Sequence, residues 1–242
     1  MNITAMTNQY LGLSSLQSGT STTATTASTA VSKAQTQAAK RLEQERQTTT
    51  AQISTYGQVK SNFARVQDSS KALAATQSTT SATTLQKNLE TFVSAYNSAR
   101  SSAASTTTGT ASLAANDLRR TLSSDTARSD LTSLGISQNT DGSLTFDAKA
   151  LASSLQSNAT TVSNAASRIG NITAQSATRA LSDTGSIGTS LNRLNARETA
   201  IESRQAEQQQ LLAAAQQQVS NTSTQLTNAL SGISSYNRIF SM

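Results

Sequence analysis

Glu198 and Glu202 lie four residues apart, the spacing that sets two carboxylates on one helix face, where they could divide acid and base roles. Arg197 and Arg204 stand beside them, so the better account is a solvated, ion-paired face. Asp141 and Asp147 form a second candidate pair, as oxygen ligands of a calcium loop. The segment lacks the ladder of ligands and the terminal Glu of an EF-hand, and Asp141 precedes Gly142, so a turn explains them better. The chain contains neither Cys nor His. Thiol nucleophiles, disulfides and thiolate metal sites are therefore excluded, as is a Ser-His-Asp constellation. No glycine-rich phosphate loop and no metal-spaced cluster occurs. The expectation is a protein that is not an enzyme and carries no cofactor or metal.

The formal net charge is +6, but the 19 Lys and Arg stand singly or in short pairs such as Lys40-Arg41 and Arg119-Arg120. Without a dense basic run interleaved with aromatics there is no phosphate-tracking groove, and nucleic acid is not an expected partner. No run approaches the roughly 18 to 20 apolar residues of a membrane span, so no membrane insertion is expected. Residues 1–20 lack the basic and continuous apolar regions of a cleaved signal peptide. There, Ile3, Met6, Tyr10, Leu11, Leu13 and Leu16 are spaced for a short amphipathic helix.

The elements that must position any functional surface are helical. Apolar residues are 35% and aromatics 3% of the 242, too little for a thick core but enough for a thin one spread along paired helices. Pro is absent, so nothing breaks a helix by ring clash. Residues 18–32 are low-complexity Ser, Thr, Ala and Gly, which predicts a flexible segment or a poorly packed helix. Ile53, Tyr56, Lys60, Phe63, Val66, Ser70 and Leu73 then step by three and four as one stripe, with Val59 beside it. After a Ser/Thr connection at 74–84, Leu85, Leu89, Phe92, Val93, Tyr96 and Ala99 share a face, and Leu113, Leu118, Leu122, Leu131 and Leu134 mark further helix.

Gly135 is placed as a helix stop. Residues 136–146 alternate on either side of Asp141-Gly142, which predicts a β-hairpin, with Asp147 as N-cap of a helix over 148–156. A weaker stretch with Val162, Ile169, Ile172 and Leu181 ends at a break marked by Gly185 and Gly188. From Leu191 to Phe240 the seam is the most regular, through Leu194, Glu198, Ile201, Gln205, Gln208, Leu212, Ala215, Val219, Thr222, Leu226, Ala229, Ile233 and Tyr236. Its mean step is that of a left-handed coiled coil, about 3.5 residues. The polar Glu198, Gln205 and Gln208 should weaken or specify pairing locally. Such a stripe needs a partner: the N-terminal segment, another copy of the chain, or both.

The order of these pieces resembles the bacterial flagellar filament cap proteins, the hook-associated protein 2 family. Leu11-Gly12-Leu13-Ser14-Ser15-Leu16-Gln17-Ser18-Gly19 is similar to the family's N-terminal signature, and Gln52-Ile53-Ser54-Thr55-Tyr56-Gly57-Gln58-Val59-Lys60-Ser61 to its first heptad helix. Phe92-Val93-Ser94-Ala95-Tyr96-Asn97 resembles its Phe-Val-x-x-Tyr-Asn helix. Leu134-Gly135-Ile136 with Asp141-Gly142-Ser143-Leu144 and Phe146-Asp147 resembles its hairpin. Members usually carry a β-rich insertion between the first heptad helix and the Phe-Val-x-x-Tyr-Asn helix. Only 74–84 stands there, so the resemblance implies a minimal form, without any adhesive role that belongs to the insertion.

The expected fold is mainly α, an elongated antiparallel bundle or coiled coil of the N- and C-terminal helices with one small hairpin near 136–146. The expected domains are an N-terminal export and assembly segment, 1–50, a helical stem, 51–211, and a C-terminal assembly helix, 212–242. Helix pairing and assembly are assigned to Ile53, Tyr56, Phe63, Val66, Leu73, Leu212, Val219, Leu226, Ile233, Tyr236 and Phe240. The core is assigned to Phe92, Val93, Tyr96, Ile136, Leu144 and Phe146. The resemblance implies export without a cleaved signal peptide through the flagellar type III apparatus. It implies an extracellular homo-oligomeric ring at the filament tip that guides flagellin into place. Flagellin, other axial subunits and an export chaperone are the implied partners. A flagellin-like or hook–filament junction subunit is the alternative, and an intracellular coiled-coil scaffold or nucleic-acid-associated protein the third reading.

Overall fold

A computed structural model describes residues 21–106 and 109–240, with side chains described over 33–106 and 109–222 and at Thr224, Gln225 and Asn228. In order, the elements are α1 (Ser21–Ala74), α2 (Ala82–Ala104), α3 (Thr110–Thr121), α4 (Asp125–Ser133), β1 (Ile136–Gln138), β2 (Leu144–Phe146), α5 (Ala148–Leu181) and α6 (Ser186–Phe240). The fold is mainly α with one small antiparallel hairpin, as the sequence pattern predicts. The backbone is already helical from Ser21, so the low-complexity stretch is helix over its described part. The chain divides into two compact units, Thr48–Thr199 and Met1–Gln47 with Ala200–Met242.

In the unit Thr48–Thr199, α1 buries Tyr56, Val59, Phe63, Val66, Ser70 and Leu73, while Ile53 is half-buried. This corrects one step of the expected stripe. Val59 holds the seam and Lys60 is exposed, because a β-branched apolar side chain gains from burial where an ammonium would lose its hydration. Helix α2 starts at Ser81, whose Oγ accepts from Thr84 N at 3.2 Å, and it buries Leu85, Leu89, Phe92, Ala95, Tyr96 and Ala99. Val93 and Phe146, assigned to the core, are only partly buried and pack on its edge. In α3 the buried face is Ala111, Ala114, Ala115 and Leu118, leaving Leu113 61% exposed.

Helix α4 opens on Ser124, whose Oγ accepts from Ala127 N at 3.3 Å. Its buried Asp130 takes two hydrogen bonds from Arg168 of α5, from Nε at 2.9 Å and Nη2 at 2.5 Å. This two-pronged bond, with the attraction of the carboxylate, raises the affinity of Arg168 for its proton.

Helix α5 extends well past the expected end near 156. Asn158 leaves helical geometry (φ −161°, ψ 88°), and its Oδ1 accepts from Thr161 N at 3.0 Å. It is therefore the N-cap of a second helical segment that follows the first without an intervening loop. That segment buries mostly small residues, including Ala165, Ala166, Gly170, Thr173 and Ala177. A Cβ on Gly170 would lie 2.3 Å from Ala74 N and 2.5 Å from Ser70 O. Glycine is thus what lets α1 and α5 meet backbone to backbone.

In the other unit, the first part of α1 and the last part of α6 pair antiparallel. Gln205 Nε2 donates to Glu43 Oε2 at 3.4 Å, and Gln208 Nε2 donates to Gln35 O at 3.1 Å. Ile201 is buried, and Leu42 and Leu212 are half-buried. The polar seam positions noticed in the sequence therefore make the cross-helix hydrogen bonds. Glu43 also accepts from Arg46 Nε at 3.1 Å and Gln47 Nε2 at 3.0 Å. Held first by Arg46, then by Gln47, its carboxyl is lowered to about 2.

Candidate assembly surface

Two features carry the functional argument, a clasped hairpin in one unit and an uncovered helix face in the other. The hairpin pairs Ile136 with Phe146, Ser137 with Thr145 and Gln138 with Leu144. Its turn needs Gly142, at φ 82°, and Asp141 Oδ1 closes it by accepting from Ser143 N at 2.8 Å. Gly135, at φ 69°, stops α4, and its carbonyl accepts from Asp147 N at 2.8 Å. Asp147 Oδ1 then caps α5 by accepting from Lys149 N at 2.8 Å and Ala150 N at 3.2 Å. Both acids of the discarded calcium reading thus have local structural tasks.

Helix α2 fastens this hairpin. Asn97 Nδ2 donates to Leu144 O and Asn97 Oδ1 accepts from Leu144 N, each at 2.9 Å. Tyr96 Oη donates to Gly142 O at 3.3 Å, and burial pushes the Tyr96 phenol up from its ordinary range. Arg100 adds a hydrogen bond from Nη2 to Asp141 O and an ion pair with Asp141 Oδ2 at 3.8 Å. The Tyr96-Asn97 end of one sequence motif therefore grips the Asp141-Gly142-Ser143-Leu144 turn of another. Asn97 stands in the sequence only as the end of a motif, with no contact to assign to it, and neither Arg100 nor Thr110 carries a signal that singles it out. Thr110 joins Tyr56 Oη at 2.5 Å and accepts from Ser190 Oγ at 2.9 Å, tying α1, α3 and α6 within the unit Thr48–Thr199.

Of the expected assembly residues, Tyr56, Phe63, Val66 and Leu73 are buried in the core of the unit Thr48–Thr199. Leu212 is half-buried and Val219 is 70% exposed. Leu211, Ala215 and Val219 follow at intervals of four and form an exposed apolar line on α6. The side chains of Leu226, Ile233, Tyr236 and Phe240 lie outside the described ones, as does the whole N-terminal signature at 11–19. Phe92, Tyr96, Ile136 and Leu144 are buried as expected. Glu198 accepts from Thr50 Oγ1 at 3.3 Å, so it serves helix pairing rather than a carboxylate couple. Among the described residues no group of three His, Cys, Asp or Glu could hold a metal ion, and no helix is long and apolar enough to cross a membrane.

Residues 106–236 match the family described as the flagellar hook-associated protein 2 C-terminus. The chain belongs to the flagellar hook-associated protein 2 family. The match takes in the hairpin and most of α6, while the clasping α2 lies before it. Comparison with curated proteins and with solved structures returned no match. A structural component of the flagellum is thereby the class of protein.

Proposed function

We propose that this chain caps the growing flagellar filament and promotes flagellin polymerisation as a homo-oligomeric ring. Membership of the hook-associated protein 2 family carries this reading. The physical support is the division of labour between the units. The unit Thr48–Thr199 has a sealed core and a pinned hairpin. The other pairs α1 and α6 through polar contacts and leaves Leu211, Ala215 and Val219 open to a subunit. In this reading the terminal unit is the assembling leg, the other is the stem, and Leu212, Val219, Leu226, Ile233, Tyr236 and Phe240 form the seam that docks on a neighbouring subunit. The protein leaves the cell through the flagellar export apparatus, with an export chaperone, and acts at the filament tip beside flagellin and other axial subunits.

Deletion of the gene tests this directly. The expected result is loss of filaments with flagellin monomer released into the medium. Filaments of normal length with no free flagellin would overturn the proposal. Electron microscopy of the purified protein separates a cap, which closes into rings, from a flagellin-like subunit, which grows open fibres.

A further inference from the structure

A cleft of about 530 Å³ lies between α3, α4 and β1 in the unit Thr48–Thr199. Its charged lining is one-sided. Arg119 of α3 and Arg128 of α4 line it, and neither has an ion-pair partner among the described residues. The acids nearby are engaged or turned to other tasks. Asp141 is held by Ser143 and Arg100, Asp130 by Arg168, and Asp125, one turn before Arg128, makes no ion pair with it. Arg119 lies across the hairpin turn, because a Cβ on Gly142 would meet its Cδ at 2.8 Å. The floor is apolar, formed by the buried Leu131 and Ile136.

The third wall is a strand edge. Asn139 N donates to Ser143 O and Asp147 N to Gly135 O, each at 2.8 Å. By the alternation of an antiparallel ladder, Ser137 and Thr145 are the next hydrogen-bonded pair, and the N–H and C=O of Ile136 and Gln138 point away from β2. Ile136 is buried, whereas Gln138 is half-exposed, so Gln138 presents the accessible part of this edge.

We propose that this cleft docks an extended, acidic peptide segment of a protein partner. A short strand running along β1 would take the outward amide and carbonyl of Gln138. Its side chains alternate between faces, so acidic residues at every second position fall on the side of the two guanidinium groups. A guanidinium fork matches a carboxylate with two parallel hydrogen bonds. Nucleic acid fits poorly, since no aromatic side chain lines the cleft for bases to stack on. The proposal does not rest on the cap reading, and purified protein tests it without any filament.

The experiment is an NMR titration of the ¹⁵N-labelled full chain with three probes. These are an alternating Val-Asp hexapeptide with blocked ends, its Val-Asn counterpart, and inorganic phosphate. The acidic peptide should shift the amides of Gln138, Asn139 and Thr140 and the Nε signals of Arg119 and Arg128. The Val-Asn peptide and the double variant R119Q/R128Q should each weaken binding by at least about tenfold. The variant R119K/R128K should restore only part of the loss, because an ammonium lacks the fork. Should the glutamine variant fail to fold by circular dichroism, a salt series on the unaltered chain decides, with binding lost at high salt expected. Three outcomes would overturn the proposal: equal binding of the neutral peptide, phosphate binding as tightly as the peptide, or no shift with peptide in large excess.

Discussion

Asn97 holds Leu144 by both of its backbone polar groups, donating from Nδ2 to the carbonyl and accepting at Oδ1 from the amide, each at 2.9 Å. A single side chain on α2 thus completes the outer edge of β2 as a neighbouring strand would. A two-stranded hairpin is marginal alone, so its definition depends on such external bonds.

Replacing Asn97 by Ala leaves both Leu144 groups without these partners. The variant N97A should lose about 1–3 kcal/mol of stability. Urea denaturation followed by circular dichroism measures this. A midpoint unchanged from the parent would show that the clasp contributes nothing.

Two helical glycines give opposite expectations. A Cβ on Gly57 meets nothing within 4 Å, whereas one on Gly170 meets the backbone of α1 at 2.3 Å. G57A should therefore stabilise by about 0.5–1 kcal/mol, through helix propensity alone. G170A should destabilise by about 1–3 kcal/mol, since the helices must part to admit the methyl group. Thermal melts of the two variants side by side should move in opposite directions.

The corrected seam in α1 yields a similar contrast between neighbours. V59A should cost about 1–3 kcal/mol because Val59 is fully buried. K60A should stay within about 0.5 kcal/mol of the parent, its side chain being exposed. Equal losses in denaturant midpoint would restore the original stripe.

The stripe shows where sequence reasoning reaches its limit. Steps of three and four located α1 and its face, because the helical period constrains apolar residues strongly. With Val59 and Lys60 adjacent, the period allowed either, and only the direction of the side chain on the folded helix chose. The hairpin was legible from Asp141-Gly142 and Gly135, where a positive φ demands particular residues. Its fastening was not legible, since the contact from Asn97 to Leu144 spans 47 positions and leaves no periodic trace. Asn158 was missed as a cap because the apolar pattern fades near 156, and the Ser and Thr around it look like loop rather than the start of a further helix. The exposed end of the α6 seam was equally hidden, as Leu212 and Val219 hold equivalent seam positions and differ only in cover.

The Glu43 cluster gives a pH expectation. Its carboxyl ionises in the folded chain at about 2, below the ordinary 4.5, mainly through the Arg46 hydrogen bonds. A depressed folded value means the contribution of the cluster is present above 4.5 and is lost as pH falls towards 2. Because the group is exposed, the effect is local and weakened by salt. A ¹³C titration of the Glu43 carboxyl should show the low midpoint. R46Q should return it towards 4.5 by more than Q205A does.

The cap inside α5 divides that helix into two cooperative lengths. Thr161 N finds its acceptor in Asn158 Oδ1, which satisfies one of the amides that a helix start leaves without an intrahelical partner, and the backbone of Asn158 departs from helical geometry. The two lengths can therefore open separately. Amide deuterium uptake should fall into two classes that change at Asn158, with the segment buried on Gly170 exchanging last.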